Sequence, residues 1–270
     1  MEHAYSSDGT AIAYDRQGAG PVLVLVGGTL MTRARHAALA ALLAEEFTVV
    51  SYDRRGRGDS GDHAEYLVAR ELDDLDAVIA QTGGGPVLLY GMSSGGVLAL
   101  EAVARGSAVS RLAVYEPPLV VDDSRPPLPE DYVERVTELL AGGDPAGALT
   151  YFLTAGLAMP AEAVAGMRGM PFWPHWEATA RTLPYDGRVM SGLMSGRPLP
   201  ADRWRSVSVP VLVAHGDAGD PAMSSAAKEL ASRADHFTLR CLPGQNHNVD
   251  PGALAPVLTE FFTATARTRS

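Results

Sequence analysis

Five consecutive apolar residues, Val22-Leu23-Val24-Leu25-Val26, follow Pro21. A strand without a polar face must be covered on both sides, which points to a sheet buried between two layers rather than to one with a wet surface. The pattern recurs. Phe47 to Tyr52, Val87 to Tyr90 and Leu112 to Tyr115 read as further strands. Between them, 33–46 (with Ala37, Leu39, Leu42 and Leu43 in a helical stripe), 65–81 and 97–105 read as helices. An Asp8-Gly9 turn between residues 3–6 and 11–16 predicts a hairpin at the start. Alternating strands and helices make the expected class α/β, a mostly parallel sheet with helices on both faces. From Pro117 the texture changes. Pro117, Pro118, Pro126, Pro127 and Pro129 interrupt regular structure, and helical stripes without strands follow until Val209 to Ala214. Helix 222–234, strand 236–242 and helix 251–266 then complete the pattern. The predicted organisation is a core of residues 1–118 and 206–270, interrupted by a helical insertion over 119–205.

Composition narrows the chemistry. The 22 Lys and Arg against 32 Asp and Glu give a net charge of −10, and no basic run offsets it, so nucleic acid and anionic membrane surfaces are poor partners. Cys241 is the single cysteine and Lys228 the single lysine. One cysteine forms neither an internal disulfide nor a thiolate metal cage. One lysine among surface charges is a poor Schiff-base candidate. The start, Met1-Glu2-His3-Ala4-Tyr5, has neither the basic nor the apolar region of a secretory signal, and the apolar runs are strand-sized. The expected location is the cytoplasm. The Ala-, Gly- and Arg-rich, Lys-poor composition is that of a bacterial coding bias. Nothing in the chain reads out an oligomeric state.

After strand 87–90 comes Gly91-Met92-Ser93-Ser94-Gly95-Gly96, and a helical run begins at once. This is G-x-S-x-G between a strand and a helix, where glycines relieve crowding at a sharp turn and the serine hydroxyl projects at a helix N-terminus. A bland Gly/Ser turn would not require that setting. On these residues the chain resembles the α/β-hydrolase fold family, and the resemblance covers essentially the whole sequence. Asp53-Arg54-Arg55-Gly56-Arg57-Gly58-Asp59-Ser60 is similar to the D-x-R-G-x-G-x-S loop of many members, and Gly27-Gly28-Thr29 stands where they usually carry His-Gly.

The resemblance implies a nucleophile, Ser93, followed in chain order by an acid and a histidine. His247, in the loop after the last strand, is the expected base; an imidazole takes the serine proton and later returns it. His215 reads as packed, and His175, between two tryptophans, as a possible pocket residue. The implied oxyanion hole consists of the backbone N–H groups of Ser94 and Thr29, to which their hydroxyls could add a donor each. The acid departs from the commonest pattern. The usual position, three residues after Gly216, is Gly219, flanked by Asp217 and Asp220. A second placement, used by a subset of the family at the end of the preceding strand, falls on Glu116. A carboxylate ending a buried strand and followed by two prolines needs a partner. Glu116 is the preferred acid, Asp220 the alternative and Asp217 the third candidate.

The insertion would lie over Ser93 as a cap. Met159, Met167, Met170, Phe172, Trp173, Trp176, Met190 and Met194 supply deformable and flat apolar surface, either to a ligand or to the cap's own core. Gly28, Met31, Met92, Trp173 and Trp176 are the substrate-contact candidates; Arg33, Arg35 or a cap arginine could supply a charged clamp. The expected activity is cofactor-free, metal-free hydrolysis of an ester, thioester or related carbonyl of an apolar small molecule by a Ser-His-acid triad. The alternative is a lyase, cyclase or haloperoxidase-like reaction on the same scaffold, in specialised metabolism; a third, a ligand-binding protein without catalysis, fits the intact Ser93 and His247 poorly.

Overall fold

The computed structural model describes residues 1–264, so the end of the helix expected at 251–266 lies outside the described residues. Eight strands form one sheet in the order β1-β2-β4-β3-β5-β6-β7-β8. They are β1 Glu2–Tyr5, β2 Ala11–Gln17, β3 Val22–Val26, β4 Thr48–Tyr52, β5 Val87–Met92, β6 Val109–Tyr115, β7 Val211–Gly216 and β8 Phe237–Leu242. The hairpin of β1 and β2 joins β4 antiparallel, and every other pairing is parallel.

Alternation along each strand sends side chains to two separate cores. Val24, Val26 and Leu89 pack on one face with Leu75 of α2 (Val68–Gln81), Val97 of α3 (Ser94–Arg105) and Leu230 of α9 (Pro221–Ala231). Leu23, Leu25 and Tyr90 pack on the other with Leu39 and Leu43 of α1 (Ala37–Leu43) and Leu254 and Leu258 of α10 (Pro251–Thr263). Between β6 and β7 the chain runs through α4 (Tyr132–Ala141), α5 (Pro145–Tyr151), α6 (Ala161–Met167), α7 (Trp173–Thr179) and α8 (Leu183–Val189). These form a third cluster around Val136, Leu149, Val164 and Leu183. Among the described residues no helix is long and apolar enough to cross a membrane.

Several element boundaries differ from the sequence reading, three of them in the helices of the first half. α3 starts at Ser94, not Val97, because the small residues Ser94, Gly95 and Gly96 form its first turn against the sheet. The stretch 33–46 divides into a 3₁₀ turn, Arg33–His36, and the shorter α1. α2 begins at Val68, since residues 65–67 form the approach to it.

His36, where the 3₁₀ turn meets α1, is buried beneath the sheet, edge-on to Tyr90. Burial, aided by the charge on Arg35, pushes its imidazole down to about 4. Above its unfolded value near 6.5 the group is neutral in both states and costs nothing; below it the unfolded chain takes up a proton that the folded one resists, so stability falls as pH drops from 6.5 towards 4. The effect amounts to about 3 kcal/mol. Urea titrations of the parent and of His36→Gln at pH 7 and pH 4 should show the stability difference between them moving in the variant's favour at pH 4. An unchanged difference would contradict a neutral buried imidazole.

Candidate active site

The chain reverses within one residue at the end of β5. Ser93 has φ 57° and ψ −131°, a left-handed region that a non-glycine residue adopts only under constraint. Its amide donates to the Tyr115 carbonyl at the end of β6, and its carbonyl accepts from Gly96 N–H in α3. Space is the constraint: a Cβ on Gly95 would lie 2.5 Å from the Gly27 carbonyl oxygen, and one on Gly91 2.5 Å from that of Gly95. The serine side chain therefore leaves the turn on its one open side and lines a cavity between the sheet and the helical segment.

Glu116 occupies the same level at the end of β6, also with positive φ. Its amide donates to Ala214, and its buried carboxylate accepts from Gly216 N–H at 2.9 Å and from His247 Nδ1 at 2.8 Å. Holding Nδ1 as the donor leaves Nε2 as the acceptor of a neutral ring. His247, like Ser93, lines the cavity. Its loop is braced by Tyr115 Oη donating to the Asn246 carbonyl at 2.8 Å and by Ala218 N–H donating to the Gln245 carbonyl. The other two acids stand elsewhere. Asp220 caps α9, accepting from Ala222 N–H, and Asp217 accepts from Gly244 N–H at 2.6 Å. The structure brings Glu116 to the histidine and gives the two aspartates local backbone work.

Behind Ser93 lies a buried charged cluster that the sequence reading missed. Arg54 and Arg57, at the variable positions of the loop after β4, are almost wholly buried. Both bind Asp186 of α8, Arg54 at 2.8 Å and Arg57 at 2.6 Å, and Arg54 also binds Glu71 of α2 at 2.5 Å. Burial works to raise the Asp186 pKa, but Arg57, Arg54 and the hydrogen bond from Ser94 outweigh it and hold the carboxyl below the usual range. Charged residues at variable positions of a strand-following loop were the available sequence signal; Asp186, inside a cap helix, carried none.

The cluster corrects one expectation. Ser94 Oγ donates to Asp186 at 2.7 Å and lies 3.1 Å from Thr29 Oγ1. With its proton given to Asp186, Ser94 accepts from Thr29, so neither hydroxyl is free to donate into the cavity. The backbone N–H groups of the two residues are unaffected.

The cavity measures about 320 Å³. Thr29, Leu30, Met31, Ser93, Ser94 and His247 line its floor, with Tyr132, Phe152, Met159, Trp176 and Met190 above them. No lining residue is an arginine or lysine. Arg33 is paired with Asp15, Asp53 and Asp59, and Arg35 binds Asn248, so the clamp expected of them is not formed there. Of the substrate-contact candidates, Met31 and Trp176 line the cavity, and Trp173, Met92 and Gly28 are not among its lining residues. Trp173 is buried in the cap's own core, its Nε1–H donating to Glu177. Met92 alternates to the opposite sheet face, beside Leu39 and Leu254. Gly28 faces the serine: a Cβ there would lie 2.8 Å from Ser93 Cβ. His175 is exposed, and His215 is buried, as expected.

The alpha/beta hydrolase family profile matches residues 22–257, and the chain belongs to that family. An alpha/beta hydrolase from Sphaerobacter thermophilus is 50% identical and superposes with a TM-score of 0.90, the match covering 97% of this chain and 100% of that one. An esterase from Rhodococcus sp. shares the fold at 23% identity and a TM-score of 0.68, over 97% of this chain and 98% of its own. An uncharacterized hydrolase of Bacillus subtilis, YraK, is 32% identical over 118 residues, 42% of this chain and 43% of its own length. The match thus spans less than half of that curated relative, and 20% of the probable oxidoreductase EphD of Mycobacterium tuberculosis.

The two cap tryptophans should separate by measurement. Trp173→Ala removes a fully packed ring and should cost about 3–5 kcal/mol of stability in denaturant titration, while Trp176→Ala, on the cavity wall, should cost markedly less and instead change ligand preference. Equal losses would contradict the assignment of one ring to the core and the other to the cavity.

Proposed function

We propose that this chain is a serine hydrolase acting on an ester or thioester of a small, uncharged, apolar acyl group. The observation that carries the reading is the 2.8 Å contact between buried Glu116 and His247 Nδ1, with His247 and the strained Ser93 on the wall of one cavity. In this reading His247 Nε2 takes the Ser93 proton as Oγ attacks the carbonyl. The backbone N–H groups of Ser94 and Thr29 receive the oxygen as it becomes negative. The imidazolium returns its proton to the leaving alcohol or thiol, and water, activated by the same ring, releases the acyl group from Ser93. Glu116 fixes the tautomer and stabilises the imidazolium without taking its proton. No bound cofactor enters these steps.

The apolar lining and its lack of cationic side chains support a neutral acyl group, and a cavity at the small end of ligand sites supports a short or singly cyclic one. The site's expected place is a soluble compartment. Serine-directed fluorophosphonate should label Ser93, and Ser93→Ala should abolish both labelling and turnover of short-chain p-nitrophenyl esters. Glu116→Gln should lower kcat by about 10³ to 10⁴, the scale on which a lost orienting carboxylate acts, while Asp220→Asn leaves turnover at the parental level. Labelling without ester turnover would favour the lyase or cyclase alternative. Full activity in Glu116→Gln would remove it from the triad.

A further inference from the structure

The charged cluster behind Ser93 reaches the turn that carries Thr29. Arg57 Nη1 donates to the Gly28 carbonyl at 2.7 Å, and Arg54 Nη1 lies 3.3 Å from that of Gly27. In a trans peptide the C=O and N–H of one plane point to opposite sides. Fixing the Gly28 oxygen on the arginine side therefore turns the Thr29 N–H of the same plane away from it, towards the cavity that Thr29 lines. A cation on the carbonyl also polarises that peptide and strengthens its N–H as a donor. The second donor residue is tied to the same centre, because Asp186 Oδ1 accepts from Ser94 Oγ at 2.7 Å. Asp186 thus meets Arg54 and Ser94 through one oxygen and Arg57 through the other.

Asp186 belongs to the cap, whereas Arg54 and Arg57 belong to the loop after β4 and Glu71 to α2. Two arginines facing Glu71 and Asp186 make the cluster neutral, and Asp186 supplies half of the negative charge. We propose that Asp186, acting through Arg57 and Ser94, is a positioning residue of the oxyanion hole, so that the cap completes the catalytic machinery as well as roofing the substrate. The inference rests on the hydrolase reading above and adds a role to it. It makes the cap matter even to a substrate too small to touch its apolar wall.

p-Nitrophenyl acetate, whose acyl group is a single methyl, is the probe that makes least use of that wall. Asp186→Asn alone leaves a buried cation without its counter-charge and risks the fold, so the informative variant is the charge-balanced pair Arg57→Met with Asp186→Asn, which keeps Arg54 opposite Glu71. With folding checked by circular dichroism and thermal melting, this variant should lose about 100-fold in kcat on the acetate with KM nearly unchanged, the scale of one missing oxyanion donor. Fluorophosphonate labelling of Ser93 should slow in parallel. A folded double variant with parental kcat overturns the proposal, as does one whose loss lies wholly in KM. Should the pair not fold, Arg57→Lys keeps the charge but not the fork that spans Gly28 and Asp186; a fall in kcat at constant KM supports the role, and parental kinetics overturn it. Failure of the hydrolase reading looks different, since it would appear in the parent as absent labelling and absent ester turnover.

Discussion

Backbone crowding where β3, β5 and α3 meet is the constraint from which the site follows. Gly91 and Gly95 let the three elements approach so closely that the chain turns from strand to helix at a single residue, and Ser93 takes the left-handed conformation that remains. Everything else attaches to the same end of the sheet. β3 ends in the Gly27-Gly28 turn, β6 in Glu116, and β8 leads into the loop of His247. In a parallel sheet these ends share one edge, so residues far apart in sequence become neighbours without long connections. Strain at Ser93 and Glu116 is local, and the packed strands on either side hold it in place.

Electrostatics divides that edge into two parts with different tasks. On one side, a carboxylate with two donors, Gly216 N–H and His247 Nδ1, has little conformational freedom and keeps the imidazole in one orientation. On the other, Arg54, Arg57, Glu71 and Asp186 are removed from water almost completely and pair with one another, with Arg54 Nη2 left without a partner. Such burial contributes little net stability compared with an apolar core of the same volume. Its place behind Ser93 therefore weighs for a geometric role over a stabilising one. The third arginine of the loop, Arg55, makes the contrast: it grips Asp74 of α2 with both arms and fastens the loop to its own helix, away from the cavity.

What was legible in the sequence was whatever a short run of residues dictates by itself. Continuous apolar strands announced a covered parallel sheet, and G-x-S-x-G between strand and helix placed Ser93. Glu116 could be preferred because a carboxylate at a buried strand end needs a partner, with Asp220 and Asp217 behind it, but only the third dimension gives each its donor. The cap resisted reading. Its apolar residues serve two clients, its own core and the cavity, and the helical stripe that sends Trp173 inward and Trp176 to the cavity does not say which face meets which. Met92 misled for a different reason: adjacency to Ser93 in sequence puts it, by strand alternation, on the opposite side of the sheet. Asp186 was invisible because its partners arrive from a loop more than a hundred residues earlier.

The composition acquires a physical reading from that cluster. Lys228 is the single lysine, so the chain's cations are otherwise arginines, and the buried ones use what a lysine lacks. Arg57 holds the Gly28 carbonyl, Thr182 and Asp186 with three different nitrogens, and Arg54 spans Glu71 and Asp186. An ammonium is a single point charge and gives up its proton when buried; a guanidinium stays charged and presents its donors in a fixed plane. Burial and the like charge of Arg54 both push the Arg57 pKa down, and the carboxylates of Asp186 and Glu71 work against them. A cluster meant to hold two peptide planes and a serine in fixed orientation, without water, needs that lasting charge and that planarity together. The arginine-rich bias of the chain thus supplies the residue type on which the back of this site depends.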